Sequence, residues 1–218
     1  MTYKVGDAVR IKSGVKIPDC SIDFSHWQGR ISSIEKDGTL AIDWDSHSLK
    51  SLPTDYIKES ITDGYGWEQM YFFFEDIEPF TARDTPEQTA QILAELEHQF
   101  CWAHLGEVGD RIHAVLAETD PEDENSEFEA WYHVLHKSLS LPFDAEVTEW
   151  QELGSFLQSG AVVKVTALSH EYTDYGLYVK VENKGKHGWF PLSDLEAIDT
   201  KSENHTRVHD YVMWFANR

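Results

Sequence analysis

The 218-residue sequence carries 39 Asp and Glu against 18 Lys and Arg, a formal net charge of −21 with neutral His. That balance excludes a globally basic nucleic-acid binder, because neutralising phosphates needs clustered Lys and Arg. It favours a cationic partner instead: a metal ion, a basic protein or a polyamine. The acidity belongs to a folded surface, since 41% hydrophobic and 13% aromatic residues are enough to fill a core.

Residues 1–52 read as β-rich. Val5–Lys12 alternates Val5, Asp7, Val9 and Ile11 with Gly6, Ala8, Arg10 and Lys12, the period of a strand. Gly29–Lys36 supplies Ile31 and Ile34. Asp37-Gly38 predicts a type I′ turn, with Thr39–Asp45 as the return strand. A long first loop with Pro18 and Trp27 between short strands suggests a small SH3-like barrel. Thr54–Ile61 is expected to be a helix ending near Asp63-Gly64, and Trp67–Phe80 a helical turn followed by a strand.

A boundary is expected near Ala82–Thr85. Thr85-Pro86-Glu87-Gln88 has a capping Thr, a first-turn Pro and a Gln three residues after the cap, so a helix is predicted over 86–104. Val108–Glu118 predicts a second helix. Glu118–Glu129 then holds seven acids and no base. Ser126-Glu127-Phe128-Glu129 reads as a capping box opening a third helix, whose apolar face is Phe128, Trp131, Tyr132, Leu135 and Leu139.

From Phe143 the period returns to two, with Phe143, Ala145 and Val147 opposed to Asp144, Glu146 and Thr148. Further strands are predicted over Gly160–Ser169, Tyr175–Glu182, Lys186–Phe190 and Leu195–Ile198, with a hairpin turn at Asn183-Lys184-Gly185. This is a second SH3-like series, closed by an aromatic element at His209–Phe215. The fold class expected is α+β, with two small SH3-like β-barrels and a helical segment between them.

The run Glu129-Ala130-Trp131-Tyr132, Leu135, Leu139, Leu141-Pro142-Phe143 and Ala145 resembles the opening of the small cyanobacterial and bacterial calcium-binding protein family. The likeness continues at Tyr175-Gly176-Leu177-Tyr178-Val179 and at Phe190-Pro191-Leu192, Asp194-Leu195-Glu196. It ends at Asp210-Tyr211, Trp214-Phe215-Ala216-Asn217-Arg218. It covers about residues 118–218. One departure is Leu141, where the family usually has an aromatic before the Pro. The resemblance implies a helical start, an SH3-like β domain, calcium binding, and buffering or signalling of cytosolic calcium. The domains expected are 1–84, an SH3-like accessory domain, and 85–218, a helical segment plus an SH3-like calcium-binding domain.

Calcium takes about six to eight oxygen ligands, which converging carboxylates, carbonyls and water can supply. Four places offer carboxylates. Asp120 and Glu124 lie in the acidic segment Asp120–Asn125, which is not an EF-hand: Asn125 and Trp131 stand where a loop begun at Asp120 needs Gly and Glu. Its bland reading is a solvated linker favouring a helix N-terminus. Asp144 and Glu146 share one strand face at about 6.7 Å, twice the strand rise. Asp194 and Glu196 lead into the last strand, and Asp174 precedes another. Each alone reads as an exposed acid; together they make an ion site in this domain the favoured expectation.

His98, Cys101 and His104 do not suit one soft metal, because positions i and i+6 point about 120° apart on a helix. A buried Cys between half-exposed histidines is the expectation there. Trp27, Trp44, Tyr56, Tyr65 and Trp67 offer either a cation-binding groove or core packing, with packing favoured. No nucleophile, P-loop or dinucleotide motif points to catalysis. Two cysteines are too few for a disulfide scaffold. Met1–Asp7 has no apolar signal-peptide core, and the run Met70–Phe74 stops at Glu75. The expectation is a non-enzymatic cytoplasmic protein that binds Ca2+ and neither nucleic acid nor membrane. The alternative is an acidic interaction module that docks a basic or Pro-rich protein partner.

Overall fold

The computed structural model describes residues 3–18, 20, 22–120 and 123–218. The chain forms two compact units, Met1–Gly106 and Glu107–Arg218. Each is α+β and is built on one five-stranded antiparallel sheet.

The first unit contains β1 (Ala8–Ile11), β2 (Gln28–Ile34), β3 (Thr39–Trp44), β4 (Gln69–Phe73) and β5 (Ile77–Pro79). Its helices are α1 (Ser46–Leu49), α2 (Thr54–Asp63) and α3 (Pro86–Phe100). The sheet order is β4-β3-β2-β1-β5. Alternation buries Val9, Ile11, Ile31, Leu40, Ile42 and Trp44, and Phe24 stacks on Trp44 at 5.1 Å. The segment Trp67–Phe80, expected to hold a helical turn and one strand, holds two strands divided by a 3₁₀ turn at Phe74–Asp76. The β2–β3 turn is not type I′, which needs positive φ at both central residues. Here Gly38 has φ 93° while Asp37 does not, and the Asp37 carboxylate instead accepts from the Thr39 amide at 3.0 Å.

Helix α3 starts as its sequence predicts: Thr85 and Gln88 form a reciprocal capping box. Ile92 and Phe100 bury their side chains in the core of the first unit. The compact division therefore falls at 106/107, after this helix rather than before it. The boundary expected at 84/85 rested on the change from strand to helix. Burial of the helix's apolar face decides which core it joins.

The second unit contains α4 (Glu107–Leu116), α5 (Glu124–Ser138), β6 (Phe143–Val147), β7 (Val162–Thr173) and β8 (Gly176–Asn183). It continues with β9 (Lys186–Pro191), β10 (Leu195–Ala197) and α6 (Glu203–Asn217). Its sheet order is β10-β6-β7-β8-β9. The two units thus share one plan, in which the last strand returns beside the first after a 3₁₀ turn, here Leu192–Asp194. The ladders leave both sheets open rather than closed into barrels. β5 and β10 have three residues each and pair with β1 and β6 respectively.

The type I′ geometry expected at Asp37-Gly38 occurs instead at Lys184-Gly185, with φ 49° and 80°. Helix α5 begins before Ser126. Its cap is Asp123, whose carboxylate accepts from the Asn125 amide at 3.1 Å. The aromatic C-terminal stretch is the helix α6, capped by Ser202 accepting from the His205 amide at 3.1 Å. Trp131, Tyr211 and Trp214 are fully buried. Trp131 meets Tyr211 edge-on at 5.6 Å, and Phe128 meets Trp214 edge-on at 5.2 Å. Arg111 on α4 donates twice to Asp210 on α6, each time at 2.8 Å. No helix among the described residues is long and apolar enough to cross a membrane.

Candidate metal centre

In β6 the alternation places Ala145 and Val147 in the core and leaves Asp144 and Glu146 exposed on the outer face. β10 pairs with β6 so that Glu196 stands directly opposite Glu146 and Ala197 opposite Ala145. Directly opposed residues in an antiparallel pair share a face, with Cβ atoms about 4.5–5.5 Å apart. The two glutamates therefore meet on one outer surface, with Asp144 in the adjacent row. Like charges so placed repel. The Lys164 ammonium offsets part of this negative charge, and an imidazole borders Glu196. Lys164 on β7 donates to Asp144 at 2.7 Å, and His205 on α6 lies 3.3 Å from Glu196. Glu146 has no side-chain hydrogen bond or ion pair among the described residues.

Asp194 occupies a second, half-buried position at the end of the 3₁₀ turn. Gln151 donates to one of its carboxylate oxygens at 2.9 Å. Ser193 Oγ lies 3.2 Å from the other and 3.2 Å from the carbonyl of Tyr175. A single hydroxyl proton serves one of these contacts at a time. The Ser193 bridge brings the Tyr175 carbonyl beside Asp194, and Asp174, the preceding residue, is exposed.

Asp120 and Glu124 belong to the start of α5 rather than to the β6–β10 face. Glu124 pairs with Arg218, whose guanidinium also lies 4.4 Å from the centre of the Phe215 ring. The Asp120 backbone is held by Ser126, whose Oγ accepts from the Asp120 amide at 3.1 Å. Pro121 and Glu122 of the acidic segment lie outside the described residues. Acids in the first turn of α5 favour its N-terminus through the dipole, the bland role foreseen for them. Asn125, in the same segment, accepts from Tyr172 at 2.7 Å.

The sequence pattern missed Gln151 and Ser193 as neighbours of Asp194, and the Tyr175 carbonyl that Ser193 reaches. Ser193 is an unmatched position inside the Phe190–Glu196 motif, and a carbonyl leaves no trace in a sequence. Among the described residues His98, Cys101 and His104 are not grouped to hold a metal ion. Cys101 is exposed, not buried, and His104 Nδ1 is 3.1 Å from the Cys101 carbonyl.

The donor chemistry of both positions suits calcium, a hard cation that takes oxygens. Among the described residues no three His, Cys, Asp or Glu side chains are grouped to hold a metal ion by themselves. An ion at either position would complete its shell with carbonyls, hydroxyls and water.

Residues 110–215 match the calcium-binding family CcbP. The likeness read from the C-terminal motifs is thereby shown for the second unit. The match begins near the start of α4, earlier than the motifs alone reach. Among solved structures, Anabaena CcbP aligns at 25% identity over 49% of this chain and 89% of that one, with a TM-score of 0.40. A calcium-binding protein in its calcium-binding form aligns at 24% identity over 51% of this chain and 95% of that one, also with a TM-score of 0.40. No curated protein matches the chain.

Proposed function

We propose that the second unit binds calcium through surface carboxylates, without catalysing a reaction, and acts as a cytosolic calcium buffer or signalling protein. The observation that carries the site is the facing of Glu146 and Glu196 across β6 and β10. Strand β6 is paired on both sides, to β7 and to β10, so the backbone under these carboxylates is already fixed. A cation between them removes a repulsion already present in the fold, at little further cost in ordering. Asp144 adds charge from the next row. Asp194, with Asp174 and the Tyr175 carbonyl, forms a second candidate position, while Asp120 and Glu124 are outlying members of the same acidic surface. The family match over residues 110–215 supports the choice of ion. The strand order common to both units supports reading each as SH3-like.

The test is calorimetric titration of the chelator-treated protein with calcium. Asp194→Asn and Glu196→Gln should each weaken binding far more than Asp43→Asn, an exposed acid on β3 of the first unit. Unchanged affinity in both variants removes these residues from the site. Absence of saturation up to millimolar calcium removes the function.

A further inference from the structure

The first unit holds a cavity of about 620 Å³ between α2, the loop that follows it, β4 and the first loop at Ile17, Pro18 and Cys20. That volume is in the range of small-molecule sites, about 300–1,000 Å³. Two sorts of side chain give it its character. Tyr56, Tyr65 and Tyr71 supply aromatic rings, and Glu59, Asp63 and Glu68 supply carboxylates. No Lys, Arg or His is among its described lining residues.

Local structure explains why these groups meet. Tyr56, Glu59 and Asp63 recur at helical spacing on one face of α2. Gly64, with φ 75°, ends the helix in the left-handed conformation. The turned chain then donates the Tyr65 amide to the Ser60 carbonyl at 2.8 Å, which holds Tyr65 beside that face. The Glu68 backbone carbonyl accepts from Trp44 at 3.0 Å, fixing the opposite wall to the sheet. The Glu68 carboxylate passes close over Gly66, where a Cβ would lie 3.0 Å from it.

None of the three carboxylates makes a hydrogen bond or ion pair with a described residue. Three other acids of this unit are paired with arginines: Asp45 with Arg83, Asp84 with Arg30 and Glu78 with Arg10. Among its described lining residues the cavity thus brings negative charge and aromatic faces together with no cation. The carboxylates also do not converge as a metal site, since no three such groups are clustered among the described residues. A lining of both carboxylates and aromatic rings suits a ligand with several ammonium groups joined by short methylene spacers. Ammonium groups meet carboxylates and ring faces, and methylenes lie on the rings.

We propose that this cavity binds an aliphatic polyamine, independently of calcium binding in the second unit. Charge complementarity identifies the occupant: three acids with no ion pair to a described residue line the cavity, in a chain of net charge −21.

The test is calorimetric titration of the full chain with spermidine at about 0.15 M salt, where long-range surface attraction is largely screened. Saturable binding is expected. Glu68→Gln and Tyr65→Ala should each weaken it by about fivefold, the effect of roughly 1 kcal/mol for one ammonium contact at an exposed site. Tyr65 is 72% exposed, so its removal leaves the core intact. Glu146→Gln/Glu196→Gln in the second unit should leave spermidine binding unchanged, and saturating calcium should not displace it. Absence of saturation overturns the proposal. So does equal affinity in both cavity variants, or loss of binding in the Glu146/Glu196 variant. Binding of an oligolysine peptide without binding of spermidine also overturns it, and would make the cavity a protein-docking site.

Discussion

Replacing Tyr211 with Phe removes one atom from the centre of the second unit. Tyr211 is fully buried on α6. Its hydroxyl accepts from the Leu177 amide at 2.6 Å, at the start of β8 and beside the turn that carries Asp174 and Tyr175. Burial holds the phenol proton far above its ordinary titration range, so the group is a neutral partner at any working pH. In Tyr211→Phe the ring still fills its space against Trp131, but the Leu177 amide is left buried without an acceptor. An unsatisfied buried donor costs about 1–3 kcal/mol. For a chain of this length each kcal/mol moves the melting midpoint by about 2–4 °C, so about 2 kcal/mol predicts a fall of roughly 4–8 °C. Calorimetry measures the midpoint, and amide exchange reports Leu177 directly, which should lose protection more than the amides of β1–β3. A midpoint within 1 °C of the parent, with Leu177 still protected, would show that the hydroxyl contact is not structural.

Acid should test the first unit through Asp84. Burial pushes its carboxyl up, but hydrogen bonds from the Ser46 amide and side chain, Thr89 and Arg30 outweigh it and bring it to about 2. A folded value below the unfolded one means stability that is fully present above about 4 and lost as pH falls from there through 2. The loss is about 2 kcal/mol, and Asp84→Asn should flatten this part of the stability profile measured by denaturant titration. Gly176→Ala should destabilise the second unit by more than Tyr211→Phe does. Its φ is 85°, and an added Cβ would lie 2.4 Å from the Tyr211 hydroxyl; equal melting of variant and parent contradicts this packing. Calcium at a hundredfold above its dissociation constant should stabilise the protein by about 2.7 kcal/mol. Magnesium should do less, because it demands tighter octahedral geometry. Identical melts with chelator, calcium and magnesium would leave the acidity as a solvated surface.

Local rules sufficed where a segment's own residues decide its structure. Thr85-Pro86-Glu87-Gln88 opens α3 because a cap needs residues within one turn of each other. The alternation Phe143-Asp144-Ala145-Glu146-Val147 makes a half-buried strand because successive side chains point to opposite faces. The Asp63-Gly64 stop follows from the freedom of glycine at positive φ. The motifs from Glu129 to Arg218 pointed to the calcium-binding family through their order along the chain. Asp37-Gly38 shows the limit of such rules, since a dipeptide permits several turn types and the flanking strands choose among them.

Tertiary structure alone decided what long-range pairing decides. Glu146 and Glu196 are fifty positions apart, and only the return of β10 beside β6 sets them face to face. Ser193 reaches the Tyr175 carbonyl because the 3₁₀ turn before β10 lies against the start of β8. Helix α3 joined the first core because Ile92 and Phe100 found a surface there, which no cap or period encodes. Tyr56 and Tyr65 line an acidic cavity while Trp44 and Trp67, read with them as one aromatic set, fill the core. The burial of each depends on which face of the sheet or helix the rest of the chain covers, and that is a property of the packed molecule rather than of any one segment.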